Sequence, residues 1–225
     1  MVDIWQRFRV TWHGLTQLCG SVPADPEIVS AWLKARQPRV RPPGGKSMDE
    51  VQQEVYDSLE RGEEFDETSS NILVFQRHAG AICVRAATIR AHLKDCSRQL
   101  SGMYGREQGE RAFSTRVVND LYLDDSPYWI PILRPDGTPL PKHDGERDKA
   151  VHPKPGISAL KRFEYVEPWR LDFVLKVLAP EIKGKRKARL QQADLEILMQ
   201  YGGTHGYAGE RGDGEGKYAY EIKEV

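Results

Sequence analysis

Apolar and polar residues alternate in several short segments of the chain, and alternation at every second position predicts β-strands. The clearest segment is 171–178, in which Leu, Phe, Leu and Val occupy the odd positions. Residues 4–18 and 218–225 are interpreted as a first and a last strand. Short apolar runs at 71–76 and 81–84 predict two further strands, joined by a turn.

Helical periodicity predicts the elements between these strands. Residues 86–101 place Ile89, Leu93, Cys96 and Leu100 on one face. Residues 191–201 give a second helix, and start signals before 26–35 and 47–61 give two more. Prolines, glycines and charged residues at 136–156 predict a long loop.

This order of elements predicts an α+β protein. The pattern fits one domain over 1–225 with a ferredoxin-like βαββαβ core of the RRM type, carrying long insertions at approximately 36–70 and 102–158. Sheets of this kind suit RNA binding, because one face of the sheet can be left open.

Seven glycines lie between positions 202 and 216, after a predicted helix and before the last predicted strand. Because a strand follows it, the run is interpreted as an ordered loop whose backbone approaches another group closely. Successive backbone amides in such loops bind phosphates and other anions. The run matches neither the P-loop nor the dinucleotide-binding motif. A long flexible hairpin connection is the alternative.

Composition limits the classes of function. The chain has 225 residues, 33 basic and 33 acidic side chains, and three cysteines without C-x-x-C spacing. This predicts no disulfide framework, no metal site and no cofactor, in a cytoplasmic protein. No apolar run approaches the length of a membrane span.

Charge is distributed unevenly along the chain. Basic blocks at 34–46, 77–98 and 183–189 alternate with an acidic block at 49–67. This alternation indicates one polyanion-facing surface and one opposite or self-complementary face. Ordinary solvated helix faces explain the acidic block equally well.

Three segments resemble the RAMP superfamily of CRISPR-associated proteins. The first strand ends in a Gly-Ser turn at 20–21. Residues 81–96 (AICVRAATIRAHLKDC) follow the strand, small-residue turn and basic helix of that family, although Ala-Ala-Thr-Ile-Arg-Ala stands where the family often has Gly-Ser-Ser-Leu-Lys-Gly. The glycine run before a terminal strand resembles the family's glycine-rich loop, although it carries Glu210, Asp213 and Glu215, which repel phosphate.

The resemblance implies a non-catalytic subunit that binds guide RNA in a CRISPR-type ribonucleoprotein effector complex, in the backbone-subunit branch. Its expected partners are single-stranded guide RNA, target DNA or RNA, other effector subunits and copies of itself. The candidate RNA contacts are Arg77, His78, Arg85, Arg90, Lys94, Arg98, Lys154, Lys161, Arg162, Gly206, Gly209, Arg211 and Lys217. Tyr104 and Tyr207 are the preferred candidates for stacking on bases, ahead of Phe75, Tyr128 and Trp129.

Two alternatives stay open. The first is a metal-independent endoribonuclease that processes guide RNA. A histidine near its ordinary pKa can act as general acid or base, and the candidates are His78 and His205, with His13. The second is a protein-binding module that mimics or inhibits such a complex, favoured by the acidic block and the zero net charge.

Overall fold

The computed structural model describes residues 4–23, 72–101, 113–124, 128–154, 157–178 and 190–225. The described part is α+β, with antiparallel sheets and three helices. The chain divides into two compact units. The first contains the described residues of Met1–Ser21, Phe75–Arg147 and Glu164–Val225, and the second those of Val22–Val74 and Asp148–Phe163.

A four-stranded antiparallel sheet is the centre of the first unit. Its strands are β1 (Trp5–Gly14), β7 (Leu121–Leu123), β11 (Arg170–Leu178) and β12 (Tyr218–Glu224), in the order β12-β1-β11-β7. Strand β1 lies between β11 and β12, and its Val10 is opposite Phe173 of β11 on one side and Ile222 of β12 on the other. In β11, and in β1 from Phe8 to Trp12, buried positions alternate with positions that are partly or fully exposed, so one face of the sheet enters the core.

Three helices accompany this sheet: α1 (Ala86–Leu100), α2 (Phe113–Asp120) and α3 (Gln192–His205). The buried residues of α1 and α3 join the inward side chains of the sheet in one apolar core. Trp12 of β1 shows the contact, because its indole N–H donates to the Met199 sulfur of α3 (3.2 Å) and its ring meets His92 of α1 edge to face. The helices therefore cover one face of the sheet.

A smaller antiparallel sheet in the same unit has the order β5 (Gln76–His78), β6 (Ala81–Arg85), β8 (Trp129–Pro131). The turn between β5 and β6 is tight, with positive φ at Ala79 and Gly80. Strand β6 continues directly into α1, which fixes Arg85 at the start of that helix.

The remaining strands are short or irregular in length. In the first unit, β2 (Leu18–Cys19) pairs with the end of β10 (Ile157–Val166). In the second unit, β3 (Val22–Pro23) pairs with β4 (Ile72–Val74) in antiparallel orientation. Strand β4 also pairs with β10, in parallel orientation, at Arg162 and Phe163. Strand β10 pairs in addition with β9 (Gly145–Lys154).

Within the described residues, the structure confirms the helices predicted at 86–101 and 191–201 and the strands predicted at 81–84, 171–178 and 218–225. The first predicted strand ends at Gly14, and the strand predicted at 71–76 is divided between β4 and β5. The loop predicted at 136–156 is wrong from residue 145 onwards, because β9 occupies 145–154. Strand β10 was not predicted. Among the described strands, β9 pairs with β10 and lies at an edge, which is a position where proline is tolerated in a sheet. Helix α2 was not predicted. Helix α3 extends to His205, so Gly202 and Gly203 are helical rather than part of a loop.

Several predictions lie outside the described residues. These are the helices at 26–35 and 47–61, the basic block at 34–46, the acidic block at 49–67, the basic block at 183–189 and Tyr104.

Candidate nucleic-acid interface

The outward face of the four-stranded sheet carries polar and charged side chains. On β1 these occupy the odd positions, because Phe8, Val10 and Trp12 point into the core. The strand register places the partners of these odd positions on the same face. The resulting set is Arg7, Arg9, Thr11 and His13 on β1, Arg170, Asp172, Val174 and Lys176 on β11, and Glu221 and Lys223 on β12.

Two pairs of like charges face each other across this sheet. Arg9 is directly opposite Lys223, and Arg7 is directly opposite Lys176. Like charges at directly opposed positions destabilise a sheet. Lys176 is partly compensated by Asp124, whose carboxylate is 2.7 Å from its ammonium. Arg9 and Lys223 are exposed and make no ion pair within the described part of the chain. Positive charge is therefore concentrated at the end of the sheet face that contains Arg7 and Arg9.

The opposite end of the same face is neutralised internally. Arg170 donates two hydrogen bonds to Asp172, at 2.9 and 2.7 Å. His13 lies 3.4 Å from the carboxylate of Glu221. The positive charge of the face is thus confined to the half that contains Arg7 and Arg9.

Two aromatic rings border the positive half. Trp5 of β1 and Tyr122 of β7 meet edge to face, with ring centroids 5.4 Å apart. Tyr122 is also opposite Lys176 in the ladder. The guanidinium of Arg90, on α1, lies 4.4 Å from the centre of the Tyr122 ring. These contacts connect the sheet face to the basic side of α1.

Helix α1 extends the positive surface. Arg90, Lys94 and Arg98 are four residues apart and share one side of the helix, as predicted. The pKa of Lys94 is lowered, first by partial burial and then by the charges of Arg90 and Arg98, so the three cations are electrostatically coupled. We call the set formed by Arg98, Lys94, Arg90, Lys176, Arg7, Arg9 and Lys223, with Tyr122 and Trp5 among them, the basic strip.

Arg90 also has a structural role within the strip. Its guanidinium donates to the carbonyl oxygens of Leu121 and Val118, both at 3.0 Å. These bonds attach α1 to the first residue of β7 and to the last turn of α2. Lys94 and the exposed Arg98 have no such partner among the described residues, and they are the α1 cations that remain open to an external anion.

The glycine run forms an ordered loop at 206–216, which we call the glycine loop. Its backbone approaches the protein's own chain. A Cβ on Gly216 would lie 2.0 Å from the Tyr207 carbonyl oxygen, and one on Gly206 would lie 2.3 Å from that of Glu215. The amides of Gly206 and Gly209 already donate to Gly202 and Cys19. The glycines therefore allow close packing, and direct contact of Gly206 and Gly209 with RNA stays a prediction.

An aromatic cluster lies beneath the glycine loop. Trp12 stacks on Tyr218 with centroids 4.1 Å apart and meets Phe173 and Tyr207 edge to face. The Tyr207 hydroxyl is 2.6 Å from that of Thr88. Tyr207 is only 3% exposed, so its predicted stacking on a base is wrong: the ring belongs to the core. Phe75 is likewise a core residue.

The other predicted RNA contacts occupy varied environments. Arg77 forms an ion pair of 2.6 Å with the buried carboxylate of Glu164. Arg162 donates two hydrogen bonds to Asp148. Lys161 is half-buried on β10, and Lys154 lies on β9. The backbone of Lys217 is bonded to the loop at residues 15–16, where its carbonyl accepts from Leu15 and its amide donates to Thr16. RNA contacts by these residues stay predictions.

The two candidate catalytic histidines differ in surroundings. His78 is exposed on β5 and stacks on Trp129. His205, at the end of α3, has its Nε2 atom 3.3 Å from the Arg211 guanidinium and 3.7 Å from the carboxylate of Asp95. The geometry brings His205, which directly precedes the glycine loop, together with Arg211 of that loop.

Sequence reasoning missed the sheet half of the basic strip. Arg7 and Arg9 alternate with buried Phe8 and Val10, and this alternation was the signal that could have identified an outward basic row. No helix in the described ranges is long and apolar enough to cross a membrane. Comparison of the chain with protein-family models and with curated proteins gives no match.

Proposed function

We propose that the protein binds single-stranded RNA along the basic strip. The observation that carries the proposal is the direct opposition of Arg9 to Lys223 and of Arg7 to Lys176 on an outward sheet face. The opposition of the exposed Arg9 and Lys223 lowers the stability of the sheet, and a phosphate backbone lying across this pair would offset their repulsion. Aromatic rings beside cations are the features that bind single-stranded nucleic acids, through base stacking and backbone neutralisation.

The interpretation of the first unit as a ferredoxin-like fold supports this proposal. Six elements, taken in chain order as β1, α1, β7, β11, α3 and β12, fit a βαββαβ pattern. Strands β2–β6 lie before α1, helix α2 lies before β7, and strands β8–β10 lie between β7 and β11. The strand order β12-β1-β11-β7 puts the first and third strands in the centre, as this fold requires. Its outward face is the one that RRM-type domains use to bind RNA.

The narrower proposal is that the RNA is a CRISPR guide and that the protein is a non-catalytic subunit of the effector complex. This step depends on the resemblance of residues 81–96 and of the glycine run to the RAMP superfamily. It is tested by purifying the protein from its native host or with its co-expressed operon and sequencing the nucleic acid that accompanies it. Discrete short RNAs with repeat-derived ends are expected, whereas a nucleic-acid-free preparation at low salt would contradict RNA binding.

Neutralising two cations of the strip is expected to change the salt dependence of binding. Each phosphate contact to a single strand contributes about −0.7 to the slope of log K against log salt, so Arg9→Gln with Lys223→Gln should reduce the slope by about 1.4. The measurement is fluorescence anisotropy with an oligouridylate of about 16 nucleotides. Lys142→Gln, an exposed lysine outside the strip, is the matched control and should leave the slope unchanged. An equal slope in all three proteins would contradict the assigned surface.

A second candidate function is metal-independent cleavage of RNA. The observation that favours it is the group formed by His205, Arg211 and Asp95, in which a carboxylate and a guanidinium hold a partly exposed imidazole. We expect His205→Ala to abolish any cleavage measured in EDTA and His78→Ala to preserve it. Cleavage that survives both substitutions, or no cleavage by the wild type, leaves only the binding function.

A further inference from the structure

The exposed face of the small β5-β6-β8 sheet carries an aromatic group separate from the basic strip. The imidazole of His78 stacks on the indole of Trp129, with centroids 5.6 Å apart and an angle of 21° between the planes. Tyr128 meets the same indole edge to face at 5.1 Å and is 54% exposed. Three aromatic rings, two of them exposed, thus form one surface, which we call the aromatic platform.

The platform exists because the middle strand has small side chains on this face. The register puts Ala81 opposite His78 and Arg85 opposite Trp129. Between them, Cys83 is 4% exposed and its thiol contacts the carbonyl oxygens of His78 and Ala81. Because Ala81 and Cys83 are small, the rings of His78 and Trp129 on the two outer strands reach each other above them.

Arg85 gives the platform a cation with unused hydrogen-bonding capacity. It is on the same face as Trp129, directly opposite it in the ladder. Its Nε atom is buried and has no hydrogen-bond partner among the described residues. The residue as a whole is only half-buried, and its guanidinium carries further N–H donors that can bond to an acceptor supplied by a ligand. None of the three strands contains an acidic residue.

We propose that the aromatic platform binds one unpaired nucleotide, with its base stacked against Trp129 and His78 and an acceptor oxygen of the same nucleotide bonded to Arg85. Stacking rings supply affinity for any base, because every base has a π face. Arg85 distinguishes a nucleotide from an apolar peptide, because it requires an oxygen acceptor. This proposal rests on the proposed RNA-binding function and adds a second contact point to it, outside the basic strip.

Photochemical cross-linking is the direct test. An oligouridylate carrying 5-iodouridine is bound to the full chain, irradiated and mapped by mass spectrometry. Cross-links at Trp129, His78 or Tyr128 are expected. Cross-links confined to other residues, Trp5 and Tyr122 included, would overturn the platform while leaving RNA binding in place.

Two substitutions at one position refine the test. Trp129→Ala should weaken oligouridylate binding roughly five- to a hundredfold, the effect of losing one stacked base, without changing the salt slope. Trp129→Phe keeps a stacking ring and should bind within about threefold of the wild type. Equal affinity in the two variants contradicts the proposal, and a changed salt slope would indicate damage to the basic strip instead.

Free AMP separates failure of the platform from failure of the proposed function. AMP is expected to quench tryptophan fluorescence in the wild type and in the Arg9→Gln, Lys223→Gln variant, but to a smaller extent in Trp129→Ala. A protein that binds no RNA but shows this difference loses the proposed function and keeps the nucleotide site. Identical quenching in Trp129→Ala and wild type, or no quenching at all, contradicts the site itself.

Discussion

Reversing the charge at both Arg9 and Lys223 is expected to weaken RNA binding about a hundredfold or more while leaving the free energy of unfolding close to that of the wild type. Each reversal removes one attraction to phosphate and adds one repulsion, on the order of a tenfold loss per position. The double variant Arg9→Glu, Lys223→Glu still has like charges directly opposite each other. Its cross-strand repulsion therefore resembles that of the wild type.

The two single variants complete the design. Lys223→Glu pairs Arg9 with a carboxylate, and Arg9→Glu pairs Lys223 with one, so each should raise the free energy of unfolding by roughly 0.2–1 kcal/mol. Each should also bind RNA more weakly than the wild type. The changes in the free energy of unfolding of the two single variants therefore do not add up to that of the double variant. The losses of RNA affinity, in contrast, add from the single variants to the double variant. Urea unfolding and anisotropy titrations measure the two quantities, with Lys142→Glu as the charge-matched control. Unchanged affinity in the double variant would refute the proposed surface.

Replacing Gly216 by alanine is expected to destabilise the protein by about 4 kcal/mol or more, which is sufficient to unfold many domains. The new Cβ would lie 2.0 Å from the Tyr207 carbonyl oxygen and 2.7 Å from the Tyr207 nitrogen, both backbone atoms that cannot rotate away. Gly216 also has φ of +72°, a conformation that alanine adopts only with strain. The change is measured by chemical denaturation, or by the soluble fraction if the variant does not fold.

Gly212 provides the matched control for this substitution. It belongs to the same glycine loop, and apart from its neighbours in the chain no atom of the described residues lies within 4 Å of the position that a Cβ would occupy. Gly212→Ala should therefore change the free energy of unfolding by less than about 1 kcal/mol. If both variants are equally stable, the glycine loop is not held by close backbone packing, and the anion-binding interpretation of its glycines regains support.

The buried His92 predicts a dependence of stability on pH. Burial, followed by the charges of Arg211 and His205, lowers its pKa from 6.5 to about 3. The unfolded chain binds a proton as the pH falls through 6.5, and the folded protein does not until about pH 3. The contribution is therefore complete above pH 6.5 and is lost at about 1.4 kcal/mol per pH unit as the pH falls below it.

The check is urea unfolding between pH 7 and pH 5 in the wild type, His92→Gln and His78→Gln. The wild type and His78→Gln, which changes an exposed ring, should lose stability in parallel. His92→Gln should start lower, because it disturbs the bond between His92 and the Tyr218 hydroxyl (3.1 Å), but should decline less steeply. Identical slopes in all three would show that His92 is not responsible.

The sequence pattern predicted those elements in which the spacing of apolar residues matches the spacing of buried positions. Strand β11 alternates without interruption, and α1 places its apolar residues at helical spacing, so both were identified. Strands β9 and β10 were missed because Pro153, Pro155 and Gly156 dominate that segment, and composition alone cannot show that a neighbouring strand completes the ladder. Helix α2 is eight residues long, which is too short for its periodicity to stand out.

Part of the candidate site could likewise be predicted from the sequence, and part of it could not. The basic side of α1 could be predicted because residues four apart share a face irrespective of the tertiary fold. The opposition of Arg9 to Lys223 could not be predicted, because the two residues are distant in sequence and only the register of β12 on β1 brings them together. The glycines were correctly interpreted as permitting close approach, but their partner is the chain itself, a distinction that requires three-dimensional packing.

The central position of β1 also determines when the protein can fold during synthesis. Val10 pairs with Ile222, so one of its neighbouring strands is made only after about 210 further residues. At roughly 5–20 residues per second, that interval lasts roughly 10–40 s. Until α3 and β12 are made, near the end of this interval, the apolar side chains of Phe8, Val10 and Trp12 are incompletely covered. We therefore expect the nascent chain to depend on chaperones at the ribosome, and slowed translation to increase aggregation rather than to aid folding.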